Sequence, residues 1–212
     1  MSIMSAAPRE TSVESGGYIK GAATGVVTQN KDPDNLCRVK VRFPWDDQPR
    51  ESYWARLAMP MAGDKRGMVM IPEVGDEVAV VFERGDKRFP VVFGAVCNGN
   101  SEPAVANKDG NNDLRVFYSR AGHKLTFDDG NRGSVQLEFK DGKKLRLDDD
   151  GMLLDDGKGN RLEIKTSSKS VTLEAGGTLK LKGASVSVEA TGQLELKASG
   201  TATLRGSIVN IN

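Results

Sequence analysis

Beyond Phe139 the chain has no Phe, Tyr, Trp, Pro or Cys, and all eight prolines lie at or before Pro103. A wide globular core uses aromatic side chains, because they bury the most area per residue. Their absence over the last third of the chain points to a thin, repetitive object. Cysteine is scarce as well, and two in 212 residues exclude a disulfide-stapled secreted scaffold. No apolar run is long enough to span a bilayer. Met1 to Lys20 lacks the basic-then-apolar order of a signal peptide. Charge of one sign is missing too: the net charge is +1, too small for a protein held to nucleic acid mainly by its field.

What is present is strand signal, with no convincing amphipathic helix. Residues 1–21 are small and polar and read as a flexible N-terminal segment, ordered only against a partner. From Gly25 to Gly99 the pattern is β. Val39, Val41 and Phe43 alternate with Arg38, Lys40 and Arg42, the period of two expected of a half-buried strand. Val78 to Phe82 and Val91 to Val96 are further strands, rich in β-branched residues. Pro72, Gly75-Asp76, Gly85-Asp86 and Asn98-Gly99 supply the turns. About five short strands in this span predict a small closed barrel of the OB type over residues 22–99. Residues 100–118 read as a linker.

Strand signals resume at 119 and continue to 212. Leu125 and Phe127 precede Asp128-Asp129-Gly130; Val135, Leu137 and Phe139 precede Asp141-Gly142; Leu145 and Leu147 precede Asp148 to Gly151; Leu153 and Leu154 precede Asp155-Asp156-Gly157; Leu162 and Ile164 follow. From residue 171 apolar pairs recur at Val171/Leu173, Leu179/Leu181, Val186/Val188, Leu194/Leu196, Ala202/Leu204 and Val209/Ile211, stepping by 8, 7, 8, 8 and 7 residues. A fixed period marks a stacked array, and this one fits a strand plus a tight turn. Two inward residues per strand cannot enclose a core in one copy, and unpaired edges invite aggregation. Three chains wound round one axis solve both problems, each strand edge pairing with a neighbouring chain. At about 4.8 Å per level, ten or so units make a needle of roughly 50 Å. The expected trimer core is Val171, Leu173, Leu179, Leu181, Val186, Val188, Leu194, Leu196, Leu204, Val209 and Ile211, with Lys180, Lys182, Glu189, Glu195 and Lys197 facing water.

Three stretches carry a resemblance to a known family. Ile71-Pro-Glu-Val-Gly-Asp-Glu-Val-Ala-Val-Val-Phe-Glu-Arg-Gly-Asp, followed by Phe89-Pro-Val-Val-Phe-Gly-Ala-Val, resembles the OB-fold of phage baseplate assembly protein V and of VgrG spikes. Gly25-Val-Val-Thr and Cys37-Arg-Val-Lys-Val-Arg-Phe-Pro-Trp are similar to the first two strands of that module. Ser119-Arg-Ala-Gly-His-Lys-Leu-Thr-Phe-Asp-Asp resembles the junction where such spikes pass into their β-helix. The resemblance implies an all-β chain: an OB-fold barrel, then a trimeric, intertwined triple-stranded β-helix. It implies a non-enzymatic homotrimer in a phage baseplate or injection particle, assembled in the bacterial cytoplasm, that pierces the target envelope when a sheath contracts. It also implies a separate hub protein, since no hub domain precedes residue 22, and leaves no room for a lysozyme-like domain in the linker. Some short spikes of this type end in a His-x-His metal apex. Here the single histidine is His123, so no metal and no cofactor are expected, and a PAAR-type cap is the expected tip partner.

Several residues invite sharper readings. The pairs and triplet Asp128-Asp129, Asp148 to Asp150 and Asp155-Asp156 suggest an ion or acid–base site, but each precedes a glycine, where aspartates bond their own backbone. His123 has no Ser or Cys nucleophile in an evident motif and is expected to pack at the stalk entrance. Cys37 and Cys97 are expected as free, buried thiols. Arg38, Lys40 and Arg42, with Trp45, Tyr53 and Trp54 nearby, support an alternative function, a nucleic-acid-binding OB-fold on a trimerising stalk. The same trio serves equally to dock on an acidic hub, and that reading is preferred because strand binding gives no reason for a needle. A glycan hydrolase is a third reading; it needs a carboxylate pair on a broad concave surface, which a needle lacks.

Overall fold

The computed structural model describes residues 18–48, 50–99 and 101–211. The expectation for the N-terminal segment therefore lies outside the described residues as far as residue 17. The chain divides into two units, Met1–Asn112 and Asp113–Asn212. No α-helix occurs among the described residues.

The front unit contains β1 (Ala22–Gln29), β2 (Lys40–Arg42), β3 (Arg56–Leu57), β4 (Ala62–Gly63), β5 (Arg66–Gly67), β6 (Glu77–Phe82) and β7 (Pro90–Ala95). Five of these form one sheet in the order β2-β1-β6-β7-β3, and β4 and β5 form a separate hairpin. β1 pairs antiparallel with β2 and β6, β6 with β7, and β3 runs parallel to β7. Isolated bridges Val39↔Ala55 and Arg42↔Glu51 join the two ends of the order, so the sheet returns on itself as the OB barrel expected from the sequence. Period-two alternation directs the core. Val39, Val41 and Phe43 are buried with Val27, Val78, Val80, Phe82 and Val92, while Arg42 is exposed. Gly25 is required where β1 bends against β2: a Cβ there would run into the side chains of Val41 and Phe43.

The back unit is a seven-stranded antiparallel meander: β8 (Leu114–Tyr118), β9 (Lys124–Asp128), β10 (Ser134–Glu138), β11 (Lys144–Asp148), β12 (Gly151–Asp155), β13 (Arg161–Lys165) and β14 (Ser170–Glu174). β8 falls inside the stretch read from the sequence as linker. Its pattern, Leu-Arg-Val-Phe-Tyr, is that of a strand, and Phe117 stands opposite Leu125. Neighbouring strands from β8 to β14 pair with one another within the same chain, while the pairing with neighbouring chains expected from the sequence concerns the repeat from Val171 onward. Tight turns make this possible, since antiparallel strands need only a short connection. At the head of β12, Gly151 has φ +145° and lies so close to the facing strand β13 that a Cβ would collide with the carbonyl of Ile164. Residues 175–211 form no strand within the single chain.

Candidate functional site

The register of the meander sorts its side chains. Leu125↔Leu137↔Leu145↔Leu154↔Leu162↔Leu173 form one row of directly opposed residues across six strands. Phe127↔Val135↔Leu147↔Met152↔Ile164↔Val171 form a second row on the same face. Twelve apolar side chains thus share one side of the sheet. All of them except Leu125 are exposed, from Ile164 at 36% to Val171 at 68%. A contiguous apolar face left open in one chain marks an interface.

The register also corrects the unit read as Leu153/Leu154. Met152 and Leu154 lie on the apolar face, and Leu153 lies on the other, between Arg146 and Glu163. Phe139 lies beyond the end of β10 and packs edge-on against His123, ring centroids 5.0 Å apart.

On the polar face the row Lys124↔Glu138↔Lys144↔Asp155↔Arg161↔Glu174 alternates in sign at every step. Opposite charges on directly opposed residues favour this register. At the start of the row the Lys124 ammonium sits 5.0 Å from the centre of the Tyr118 ring. The sheet therefore has one face built to be covered and one built for water.

Past Glu174 the expected core residues have no cover from their own chain. Leu179, Leu181, Val186, Val188, Leu194, Leu196, Leu204, Val209 and Ile211 are each at least 45% exposed. The structure does not gather these residues into a cluster within one chain. It places Val171 and Leu173, by contrast, at the end of the two apolar rows. The core residues of β9 to β13 were missed as interface candidates; their signal was present in the same two-residue spacing, upstream of residue 171.

The basic trio is divided. The Arg38 guanidinium meets Asp32 at 2.8 Å and Asp34 at 2.5 Å. Lys40 pairs with Glu51 at 3.2 Å. Both cations lie over the Trp54 ring, at 5.8 and 5.3 Å. Arg42 is exposed and has no ion-pair partner among the described residues. Asp32 is buried, and accepts from the Asp34, Leu36 and Arg38 amides as well as from Arg38. The Arg38 guanidinium, aided by these amides, holds its carboxyl well below the usual range despite burial.

The acidic turns behave as turns. Asp128 accepts from the Gly130 amide, Asp148 from those of Asp150 and Gly151, Asp155 from Gly157, and Asp156 from Lys158 and Asn160. One oxygen of each serves the backbone, as expected of aspartate before glycine, while the second oxygens of Asp148 and Asp156 meet the Arg146 and Asn160 side chains. His123 Nδ1 accepts from the Lys140 amide at 3.4 Å. Cys37 and Cys97 are free but exposed, which corrects the expectation of burial. Each lies in a connection outside the strands, Cys37 at φ +55°, beyond the reach of the barrel core.

Comparison with known proteins agrees with both units. Residues 23–96 match the type VI secretion system/phage-baseplate injector OB domain, and residues 115–195 match the phage baseplate V C-terminal trimerisation domain. The type VI secretion system spike protein VgrG1a of Pseudomonas aeruginosa is 33% identical over 137 residues, 58% of this chain and 20% of that protein. The spike protein VgrG3 of Vibrio cholerae is 39% identical over 80 residues, 36% of this chain and 8% of that protein. A further relative from V. cholerae, named actin cross-linking toxin VgrG1, is 35% identical over 74 residues, 33% of this chain and 7% of that protein. The matched stretches span a fifth or less of these relatives. Both matched domains are structural parts, not enzymes. The barrel and the open apolar sheet thus each match a known module, and this chain carries the injector OB domain of type VI secretion systems and phage baseplates over residues 23–96 and the phage baseplate V trimerisation domain over residues 115–195.

Proposed function

We propose that the chain is the central spike of a contractile tail or injection machine. It acts as a homotrimer that docks on a separate hub protein and pierces the target envelope when the sheath contracts. The observation that carries this reading is the double apolar row from Leu125 to Leu173, open in the single chain and lying within the trimerisation domain. Three copies bring three such faces together and remove them from water. The pairs from Leu179 to Ile211 continue the same spacing and complete the dry axis, and there the strand edges pair between chains. The spike proper begins with β8 at Leu114, and the OB domain spans residues 22–99.

Force passes from the hub through the barrel into the needle. Of the basic trio Arg38, Lys40 and Arg42, it is Arg42 that carries the hub contact, because carboxylates of the same chain already engage Arg38 and Lys40. A PAAR-type protein caps the tip of the spike. Assembly takes place in the bacterial cytoplasm, and the particle is a phage tail or a related injector.

The test is the native mass of the purified chain before and after mild heating in detergent. A mass of three copies that resists dissociation is expected. A monomer that shifts labelled oligonucleotide in a salt-dependent way would overturn the reading in favour of a nucleic-acid-binding barrel.

A further inference from the structure

The barrel carries a groove and, apart from it, an exposed apolar strap. The groove, of about 450 Å³, is lined by Leu36, Trp54, Phe89 and Pro90 together with Arg38, Arg56, Arg88 and Glu83. The strap is the segment that carries β4 and β5. Every residue from 61 to 71 is exposed, among them Met61, Met68, Val69, Met70 and Ile71. No strap residue lines the groove of its own chain.

The groove's chemistry selects its occupant. All three arginines are already paired: Arg38 with Asp32 and Asp34, Arg56 with Glu83, and Arg88 with Asp86. A nucleic acid or an acidic peptide would have to displace these carboxylates. With Glu83 taken up by Arg56, the surface left is Leu36, Trp54, Phe89 and Pro90, which fits an uncharged, adaptable segment. Met68-Val69-Met70-Ile71 is such a segment, and methionine fills irregular apolar gaps well.

Symmetry supplies the second argument. A closed ring of three needs a head-to-tail contact, so each copy must present two different, complementary patches. The trimerisation domain in the same chain holds three barrels at an effective concentration on the order of millimolar. We infer that the 68–71 strap of one barrel seats in the Leu36/Trp54/Phe89 groove of the next copy, making a collar of three OB domains. This rests on the trimeric reading above.

The test uses the full chain with Phe89 replaced by the photo-crosslinker p-benzoylphenylalanine. Irradiation of the trimer is expected to give covalent dimers and trimers on a denaturing gel, with the adduct mapped to Met68 or Met70 of another copy. Val69→Asp places a charge in the contact and is expected to lower that yield about tenfold or more while the native mass stays trimeric. Met70→Ala, a milder change, is expected to lower it in part, and tryptophan fluorescence checks that both variants keep the barrel. A trimer whose adducts fall outside 68–71, or whose yield ignores Val69→Asp, overturns the collar alone. A monomeric native mass overturns the trimer and the collar together.

Discussion

Val39 and Ala55 exchange both backbone hydrogen bonds, 3.0 Å from the Val39 amide and 2.7 Å from the Ala55 amide, and so close the barrel outside its long strands. Both side chains are fully buried at this seam. Ala55→Leu forces extra methylenes into it and is expected to destabilise the barrel by about 1–3 kcal/mol. Both tryptophans, Trp45 and Trp54, lie in the barrel, so their fluorescence during urea unfolding reads this unit by itself.

Leu145 stands between Leu137 and Leu154 on the apolar face, and Leu153 stands on the opposite face. Leu145→Asp is therefore expected to abolish the trimer, because three carboxylates would meet on a dry axis. Leu196→Asp should do the same nearer the tip. Leu153→Thr should leave the trimer intact. Native mass spectrometry of the three variants checks the assignment, and a stable Leu145→Asp trimer would show that the face points elsewhere.

Lys144 lies between Glu138 and Asp155 in the alternating row. Lys144→Glu sets a third carboxylate between two others and is expected to cost about 1 kcal/mol, since opposed like charges destabilise a sheet. The loss should shrink in about 0.5 M salt, where the screening length is a few ångströms. Thermal unfolding at low and high salt separates this from a packing defect, which salt would not relieve.

Asp32 titrates well below the usual carboxylate value of 3.8 because Arg38 and three amides stabilise its charged form. A carboxylate depressed on folding stabilises the folded state above its unfolded pKa, and that contribution fades as pH falls below about 4. Asp32→Asn is expected to lower the urea midpoint of the barrel at pH 7, with the gap to the parent narrowing toward pH 2. An equal gap at both ends would mean that Asp32 acts through packing alone.

Alternation around Val39, Val41 and Phe43 was legible in the sequence, because a strand of period two needs only its own residues to show which side is apolar. The barrel seam was not legible, since it depends on where a bridge outside the strands meets the chain again. The phase of β12 misled for a related reason. Met152, Leu153 and Leu154 are all apolar, so local pattern cannot say which pair faces inward; pairing of Leu145 with Leu154 decides it. β8 was hidden because Leu114 to Tyr118 follows a polar, glycine-bearing stretch that reads as a linker.

The sequence by itself determined the all-β class, the two-part organisation, the turn role of the aspartates and the short apolar period of the back unit. These follow from near-neighbour chemistry: side-chain spacing, turn residues and the loss of aromatics beyond Phe139. Only the tertiary structure decided that β8 to β14 pair within one chain, that twelve side chains align on one open face, and that Arg38 and Lys40 are engaged by Asp32, Asp34 and Glu51. Those outcomes depend on register and on contacts between residues distant in the chain, where a shift of one residue would turn the apolar rows to the opposite face.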